Sequence, residues 1–440
     1  MSVDVGETHR ADLQSWIESA NVPSTDFPIQ NLPLGCYRGT GGARPGVAIG
    51  DRILDLGAAR SAIDLDAGLA VAIDGCLASG HLNPLLALGR PALRELRAAV
   101  SDALRVDTPA GERARAHGES LFVRMQDAEM LVPMHVGGYT DFYASIHHAT
   151  NVGSMFRPDS PLLPNYKWVP IGYHGRASSV VPSGTIVRRP DGQTRENAAA
   201  PPHFGPSRRL DYELEIGAVV ASGNALGVAI PIARAEEHLA GLCLVNDWSA
   251  RDIQTWEYQP LGPFLAKSFA TTVSPWIVTL DALAPFRIPA AERADGDPPP
   301  LPYLHDGADR AHGGFDIELE VLLSTHRMRE DGLPPARVSA GNFVTMYWTV
   351  AQLVAHHTSN GCNLQPGDLI ASGTVSGPSK ESRGCLLERT WRGTEPLVLA
   401  TGEERRFLEN GDEVIMRAAC VRDGYRQIGF GECRGVVSGG

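Results

Sequence analysis

Leu210-Asp211-Tyr212-Glu213-Leu214-Glu215-Ile216 alternates strictly between apolar and acidic residues. Successive side chains of a β-strand point to opposite faces. Leu210, Tyr212, Leu214 and Ile216 therefore share one face, and Asp211, Glu213 and Glu215 the other. Acids two positions apart lie roughly 6.5–7 Å from each other on that face. Both can reach one hard cation, which takes oxygen ligands at about 2.0–2.6 Å. The same pattern also describes a half-buried strand with a solvated acidic face. Phe315-Asp316-Ile317-Glu318-Leu319-Glu320 repeats it, and the two strands cannot be the same metal site. The alternation predicts strands, and a metal needs further ligands from elsewhere. Asp141, in Gly138–Tyr143, and Asp247, in Val245–Trp248, are candidates flanked by aromatic residues. A lone Asp in a turn is also a common turn or cap residue.

Outward from this strand, the chain after about residue 134 reads as short strands between Gly/Pro turns. Strands are expected at Leu210–Ala221, Trp276–Leu280, Phe315–Leu323, Asp368–Ser372 and Glu413–Val421. One helix is expected at Asn342–His357, with Phe343, Met346, Tyr347, Val350 and Val354 on one stripe and Gly361 beyond its end. The Pro/Gly/Asp-rich segment 285–313 reads as a long surface excursion. The first third differs. Leu13, Trp16, Ile17 and Ala20 suggest a short amphipathic helix, and Val47–Ile49 and Arg52–Leu56 flank Gly50-Asp51 as a hairpin. Residues 58–105 read as helical, with Pro91 at a first helical position and Leu93, Leu96, Val100 and Leu104 recurring at helical spacing. Residues 106–120 are polar without apolar period, and a domain boundary is expected there or near residue 130.

A chain of 440 residues exceeds what one core usually serves, so two domains are expected, 1–130 and 131–440. The balance of 39 basic against 51 acidic residues leaves a formal charge of −12. With no Lys/Arg-rich run, that disfavours nucleic acid or anionic membrane as partners. The 47 Gly and 32 Pro exceed the usual share and point to turns and short strands. Seven widely spaced cysteines without a CxxC indicate a reduced, cytoplasmic protein with neither a disulfide framework nor a Cys-based zinc site. The N-terminus carries early acids and no apolar signal region, and no uncharged stretch is long enough to span a membrane.

His147-His148 follows Asp141 closely. An imidazole titrating near neutrality can serve as general base when a carboxylate orients it, and can equally be a structural histidine. His356-His357 ends the expected helix, where a cation suits the dipole, and reads as structural. Arg251, Gln254 and Tyr258 stand at i, i+3, i+7 and share a face if helical. Lys267 sits between Phe264 and Phe269 in an otherwise apolar stretch. Donors of these types are what a developing oxyanion requires. Phosphate-loop, dinucleotide, zinc-peptidase and nucleophile-elbow motifs are all absent from the sequence.

The stretches 26–35, 139–153, 172–181, 210–217, 246–276, 360–378 and 429–435, taken together, resemble the fumarylacetoacetate hydrolase family from about residue 26 to the C-terminus. The resemblance implies a mainly β (α+β) fold, with a small N-terminal SH3-like barrel domain and a larger C-terminal mixed β-sandwich roll. It implies a homodimer that hydrolyses a small β-diketo acid, 4-fumarylacetoacetate, to fumarate and acetoacetate, the last step of tyrosine and phenylalanine breakdown. Asp141, Glu213, Glu215 and Asp247 match the family's divalent-metal ligands, usually for calcium. Asp247, Lys267 and Thr271 match a second, magnesium-linked position. His148 matches the general base and Glu388 the carboxylate that orients it. Arg251, Gln254 and Lys267 match oxyanion donors, and Tyr143, Arg157, Tyr173, Gln254, Tyr258 and Thr374 match substrate contacts. Ala266 and Ala270 depart from the Gly expected around Lys267, which implies a less tightly turned backbone. His147 adds a second imidazole beside the base. Other readings are an acylpyruvate hydrolase or oxaloacetate decarboxylase of related fold, or a calcium-binding β-domain without chemistry.

Overall fold

The computed structural model describes residues 5–197 and 199–439. Two sheets organise the chain. In the larger, of 13 strands, the main path runs from Phe122–Arg124 through Arg52–Asp55, Gly42–Ile49, Leu34–Gly39, Trp276–Thr279, Leu239–Asp247, Leu214–Val220, Leu369–Ala371 and Tyr139–Phe142 to Gly172–His174. The second, of five strands, runs Ala336–Asn342, Glu318–Ser324, Glu413–Cys420, Ile428–Ser438 and Ile186–Arg188. The architecture is a mainly β, α+β fold with one large mixed sheet.

The central strands read as continuous apolar runs because both of their faces are buried. Ile216, Ala218, Leu242 and Leu244 pack into a core shared with Leu319, Val321, Val414 and Phe430 of the five-stranded sheet. Their alternate neighbours Val219, Cys243 and Val245 pack into a second core with Leu93, Leu96 and Val100 of the helix Gly89–Leu104. The period of two therefore assigns successive residues to two different cores.

The N-terminal hairpin forms as expected, Gly42–Ile49 against Arg52–Asp55, with Gly50 at φ +55° in the turn. The expected SH3-like barrel is not closed among the described residues. Phe122–Arg124 pairs with Arg52–Asp55, and Glu129–Leu131 with Leu34–Gly39, but no pairing joins the two. Instead Leu34–Gly39 pairs onward with Trp276–Thr279, which makes the N-terminal strands one end of the large sheet.

Several expectations need correction. The segment 13–20 is not an amphipathic helix. Trp16 N and Ser15 Oγ both bond to Leu104 O, and only Glu18–Asn21 forms a 3₁₀ turn. The helix around Pro91 begins at Gly89, so Pro91 is its third residue. Residues 106–120 contain the helix Pro109–His117, capped by Thr108, whose buried face is Ala110, Gly111 and Ala114, too small to register as an apolar period. The expected helix Asn342–His357 starts only at Val350. Thr349 accepts from Gln352 N while the Gln352 side chain answers Thr349 N, and Phe343–Thr345 before it is a separate 3₁₀ turn. The strand expected at Leu210–Ala221 breaks into Leu210–Asp211 and Leu214–Val220. That expected at Phe315–Leu323 breaks into Gly314–Phe315 and Glu318–Ser324. Segment 285–313 is no simple excursion. It contains the helix Gly307–His312 and buries Phe286, Leu304 and Asp309.

Asp309 sets a testable pH dependence. Both its oxygens accept Thr349 Oγ1, at 2.9 and 3.0 Å, and burial pushes its carboxyl up to about 7. An unfolded aspartate titrates near ~3.9. The folded chain therefore binds this proton more tightly, and stability falls as pH rises between those two values. Asp309→Asn should remove that part of the slope. Denaturant melts at about pH 5 and about pH 7.5 should show wild type losing more stability than the variant. Equal losses would contradict the assignment.

Candidate functional site

The acidic strand is buried rather than solvated. Asp211 and Glu215 are fully enclosed, and Glu213 is 5% exposed. Sheet register brings the other two acids beside them. Asp247 ends the strand Leu239–Asp247, whose Val245 pairs with Glu215. Asp141 pairs with Ala371, which pairs in turn with Gly217. Asp141, Glu213, Glu215 and Asp247 each place an oxygen within 4.8 Å of the others, and all four are buried. The second acidic alternation fares differently. Glu318 is exposed, Asp316 and Glu320 are half-buried, and Glu320 pairs with Arg417 at the surface.

Two bases are folded into the acid cluster. Lys267 Nζ bonds Glu213 Oε2 and lies 2.7 Å from Asp247 Oδ2. Arg251 donates from Nε to Asp211 Oδ2 at 2.9 Å and pairs through Nη1 with Glu213 Oε1 at 2.8 Å. Thr271 Oγ1 donates to Asp247 Oδ1 at 3.0 Å and the Tyr173 hydroxyl to Asp247 Oδ2 at 2.7 Å. Lys267 and Thr271 are thus donors to an acid of the cluster, and a Lys ammonium has no lone pair to offer a metal.

These partners split the acids electrostatically. Burial would raise Glu213, but Lys267, Arg251 and His148 outweigh it and hold the carboxyl well below its usual range. Burial pushes Asp141 and Glu215 well above theirs, and the neighbouring Asp247 adds to the rise. Both Glu215 oxygens and Asp141 Oδ1 are buried without a hydrogen-bond partner. Unpaired buried carboxylate oxygens are costly unless a cation answers them. The all-oxygen donor set suits a hard divalent ion. The residues present therefore fit a metal site.

Beside the acids lies a cavity of about 420 Å³, bordered by Asp141, Glu213, Lys267, Arg251 and His148. Every residue expected to touch substrate borders it as well: Tyr143, Arg157, Tyr173, Gln254, Tyr258 and Thr374. Arg251 starts the helix Arg251–Glu257, which places Gln254 one turn on. Arg251 Nη1 lies 3.2 Å from Gln254 Oε1, while Arg251 Nη2 and the Thr374 hydroxyl are buried without partners. The departures Ala266 and Ala270 flank Lys267 in this turn. Lys267 N bonds Phe264 O at 3.1 Å, and both alanines are buried.

His148 sits on the helix Ile146–Phe156, capped by Ser145. Its Nδ1 is 2.6 Å from Glu388 Oε2, on the short helix Leu386–Arg389. Burial would raise Glu388, but the His148 charge and several hydrogen-bond donors bring it down to about 2. An ionised Glu388 accepts, so Nδ1 carries the proton and Nε2 is left as the basic nitrogen. Nε2 lies 4.0 Å from Glu213 Oε1. His147 is half-buried and does not border the cavity, which separates the two adjacent imidazoles. His357 lies in the last turn of the helix Val350–Thr358, at the helix end as expected. Its Nε2 is 2.8 Å from Thr140 Oγ1, next to Asp141.

Sequence reasoning passed over three residues of this site. Asp211 counted only towards the alternation, yet it binds Arg251 and the backbone of the helix bearing Glu388. Asn151 donates to Glu388 Oε1 at 2.8 Å, and Ser376 Oγ to Glu388 Oε2 at 2.8 Å. Asn151 was detectable as the i+3 neighbour of His148 on one helix. No local signal links Ser376 to the site.

Two family models cover most of the chain. The one described as Fumarylacetoacetase N-terminal matches residues 30–133, and Fumarylacetoacetate (FAA) hydrolase C-terminal matches residues 138–438. The chain is 49% identical to a fumarylacetoacetase of Oryza sativa subsp. japonica over 98% of its own length and 99% of the relative. It is 48% identical to a fumarylacetoacetase of Homo sapiens over 94% and 96% of the two chains. A solved fumarylacetoacetate hydrolase from psychrophilic Exiguobacterium antarcticum shares the fold, with a TM-score of 0.50 at 16% identity over 93% of this chain and 100% of that one. With the two family models matched over residues 30–133 and 138–438 and curated relatives near half identical over nearly the whole length, the chain belongs to the fumarylacetoacetate hydrolase family.

Proposed function

We propose that the chain hydrolyses a carbon–carbon bond of 4-fumarylacetoacetate, giving fumarate and acetoacetate in the final step of tyrosine and phenylalanine breakdown. One observation carries the reading. A carboxylate-held histidine and a cluster of four buried acids meet at one cavity, which His148, Asp141 and Glu213 border, and Asp141 and Glu215 of that cluster keep unanswered oxygens.

Cleaving a β-diketone by water needs three things: a base for the water, donors for the tetrahedral oxyanion, and positive charge for the departing enolate. His148 Nε2 takes the water proton, and Glu388 keeps the opposite nitrogen protonated and the ring in place. Arg251, Gln254 and Lys267 line the wall where the oxyanion forms. Arg251 Nη2 has no other partner. Tyr143, Arg157, Tyr173, Tyr258 and Thr374 orient the substrate. Asp141, Glu213, Glu215 and Asp247 would hold a hard divalent cation, calcium or magnesium, which when bound supplies Lewis-acid charge for the enolate. A second, magnesium-linked position at Asp247 and Thr271 belongs to the same proposal, with Lys267 beside it as a donor to Asp247 and not as a ligand.

The proposal includes a cytoplasmic homodimer and a division of the chain at residue 130/131, with an SH3-like first unit opened onto the large sheet. No helix among the described residues is long and apolar enough to cross a membrane.

Adding enzyme to fumarylacetoacetate should abolish its ultraviolet absorbance, and a chelator should suppress that loss. Turnover of an acylpyruvate or of oxaloacetate in its place would overturn the substrate, and metal binding without any turnover would leave only a calcium-binding domain. His148→Ala should lower kcat by about 10²–10⁴-fold while calorimetry shows metal still bound. A near wild-type rate would remove His148 as the base. Glu215→Gln should weaken metal binding measured by calorimetry, and Glu318→Gln should leave it unchanged. The reverse ranking would move the site to the other acidic strand.

A further inference from the structure

Glu388 is fully buried, and its carboxylate meets more than His148. Oε1 accepts from Asn151 Nδ2 at 2.8 Å. Oε2 accepts from His148 Nδ1 at 2.6 Å, from Ser376 Oγ at 2.8 Å and from Cys385 Sγ at 3.1 Å. The carboxylate therefore has donors on both oxygens, and its rotation about the last bond is fixed from both sides.

Two of those donors are tied to the histidine by other routes. Asn151 is on the same helix as His148, three residues on. The two side chains reach the opposite oxygens of one carboxylate, so the helix grips Glu388 as a fork. Ser376 acts from the other side. Its hydroxyl donates to Glu388 and accepts from Gly384 N at 3.0 Å, next to the segment that bears Glu388. Its carbonyl accepts from Ser145 Oγ at 3.0 Å, and that same Ser145 oxygen caps the helix by accepting from His148 N at 3.2 Å. Ser376, itself fully buried, thus holds the acid with its side chain and the histidine's helix end with its main chain.

We infer that Asn151 and Ser376 are positioning residues of the reaction, which keep Glu388 ionised and aligned so that His148 presents Nε2 to the cavity. The inference rests on the proposal that His148 and Glu388 form the base. Neither residue borders the cavity, so neither touches substrate. Removing one donor strips a charge-assisted hydrogen bond from a buried carboxylate. Glu388 is then freer to turn, which releases the ring and lets its hydrogen sit on Nε2 instead of Nδ1, and either change costs Nε2 its role as base. The loss falls on turnover and leaves substrate binding and the acid cluster alone.

The test compares Asn151→Ala, Asn151→Asp and Ser376→Ala in the wild-type chain and in a Glu388→Gln background. Each should lower kcat by about 10–100-fold, the usual cost of losing such an outer partner, with KM and the calcium affinity from calorimetry unchanged. Asn151→Asp keeps the shape of Asn but loses its NH₂ and faces Glu388 with a like charge, so it should be at least as damaging as Asn151→Ala. A packing role predicts the opposite order. The far-downfield proton resonance of the His148–Glu388 hydrogen bond should be present in wild type and shifted or lost in each variant. In the Glu388→Gln background the same substitutions should cost little more. Equal costs in both backgrounds, a wild-type rate in Asn151→Asp, or an unmoved resonance would each overturn the inference. A Glu388→Gln enzyme that keeps its rate would instead remove the base pair on which the inference rests.

Discussion

Buried negative charge is the constraint to which the rest of this structure answers. Asp141, Glu213, Glu215 and Asp247 lie together without solvent, and Asp211 lies beside them. Each such ion loses several kcal/mol of hydration unless it is paired. Lys267 answers Glu213 and Asp247, while Arg251 divides itself between Asp211 and Glu213. Asp141 and Glu215 have no base of their own. They are the two whose carboxyls burial and mutual repulsion push up, and the two with orphaned oxygens. Five carboxylates against two bases leave a shortfall of three charges, of which a divalent cation answers two.

That balance depends on the sheet more than on the strand. Along the central strands, one parity packs under the helical layer through Val219, Cys243, Val245 and Tyr139. Glu215, Asp247 and Asp141 continue that parity where the apolar stripe ends. The fold makes the site by letting one buried face turn from apolar to acidic along three strands of the sheet, two of them adjacent and the third beyond Leu369–Ala371. The alternation was legible in the sequence, although the strand it predicts is broken between Asp211 and Leu214. The level at which the strands line up was not, because register is set by pairing between separate segments, Asp141 with Ala371 and Glu215 with Val245. The repeat at Asp316–Glu320 has the same local pattern but lies in the other sheet, with its acids at the surface.

The helical errors have a common physical origin. Phe343, Met346 and Tyr347 are buried with helical spacing, yet the backbone from Ala336 to Asn342 is already committed to the five-stranded sheet. The chain can turn helical only after Thr349 supplies a cap. At the N-terminus, Leu13, Ile17 and Ala20 are equally well buried, but the backbone between them bonds across the chain, Trp16 N to Leu104 O and Val106 N to Gln14 O. In both places apolar spacing identified what is inside. It did not identify the backbone path, because hydrogen bonds to distant segments outweighed local propensity. The helix Pro109–His117 fails in the opposite sense. Its buried face is built from Ala and Gly, which carry almost no hydrophobic signal.

Asp211 shows why base and cation site come as one unit. Its carboxylate accepts from Leu386 N at 2.8 Å and Leu387 N at 2.9 Å, the first turn of the helix that bears Glu388. A negative charge at that helix start is favourable, and it fixes where Glu388 sits. The same carboxylate holds Arg251, which reaches Glu213 of the acid cluster. From Asp211 one route leads through the short helix to Glu388 and His148, and another through Arg251 to Glu213. The two routes meet again where His148 Nε2 stands 4.0 Å from Glu213 Oε1. Asp211 and Glu213, two residues of one short segment, thereby set the distance between the nitrogen proposed as the base and the acids that would hold the cation. A hydrolysis needing both at once gains from that coupling, since neither group can move without the other.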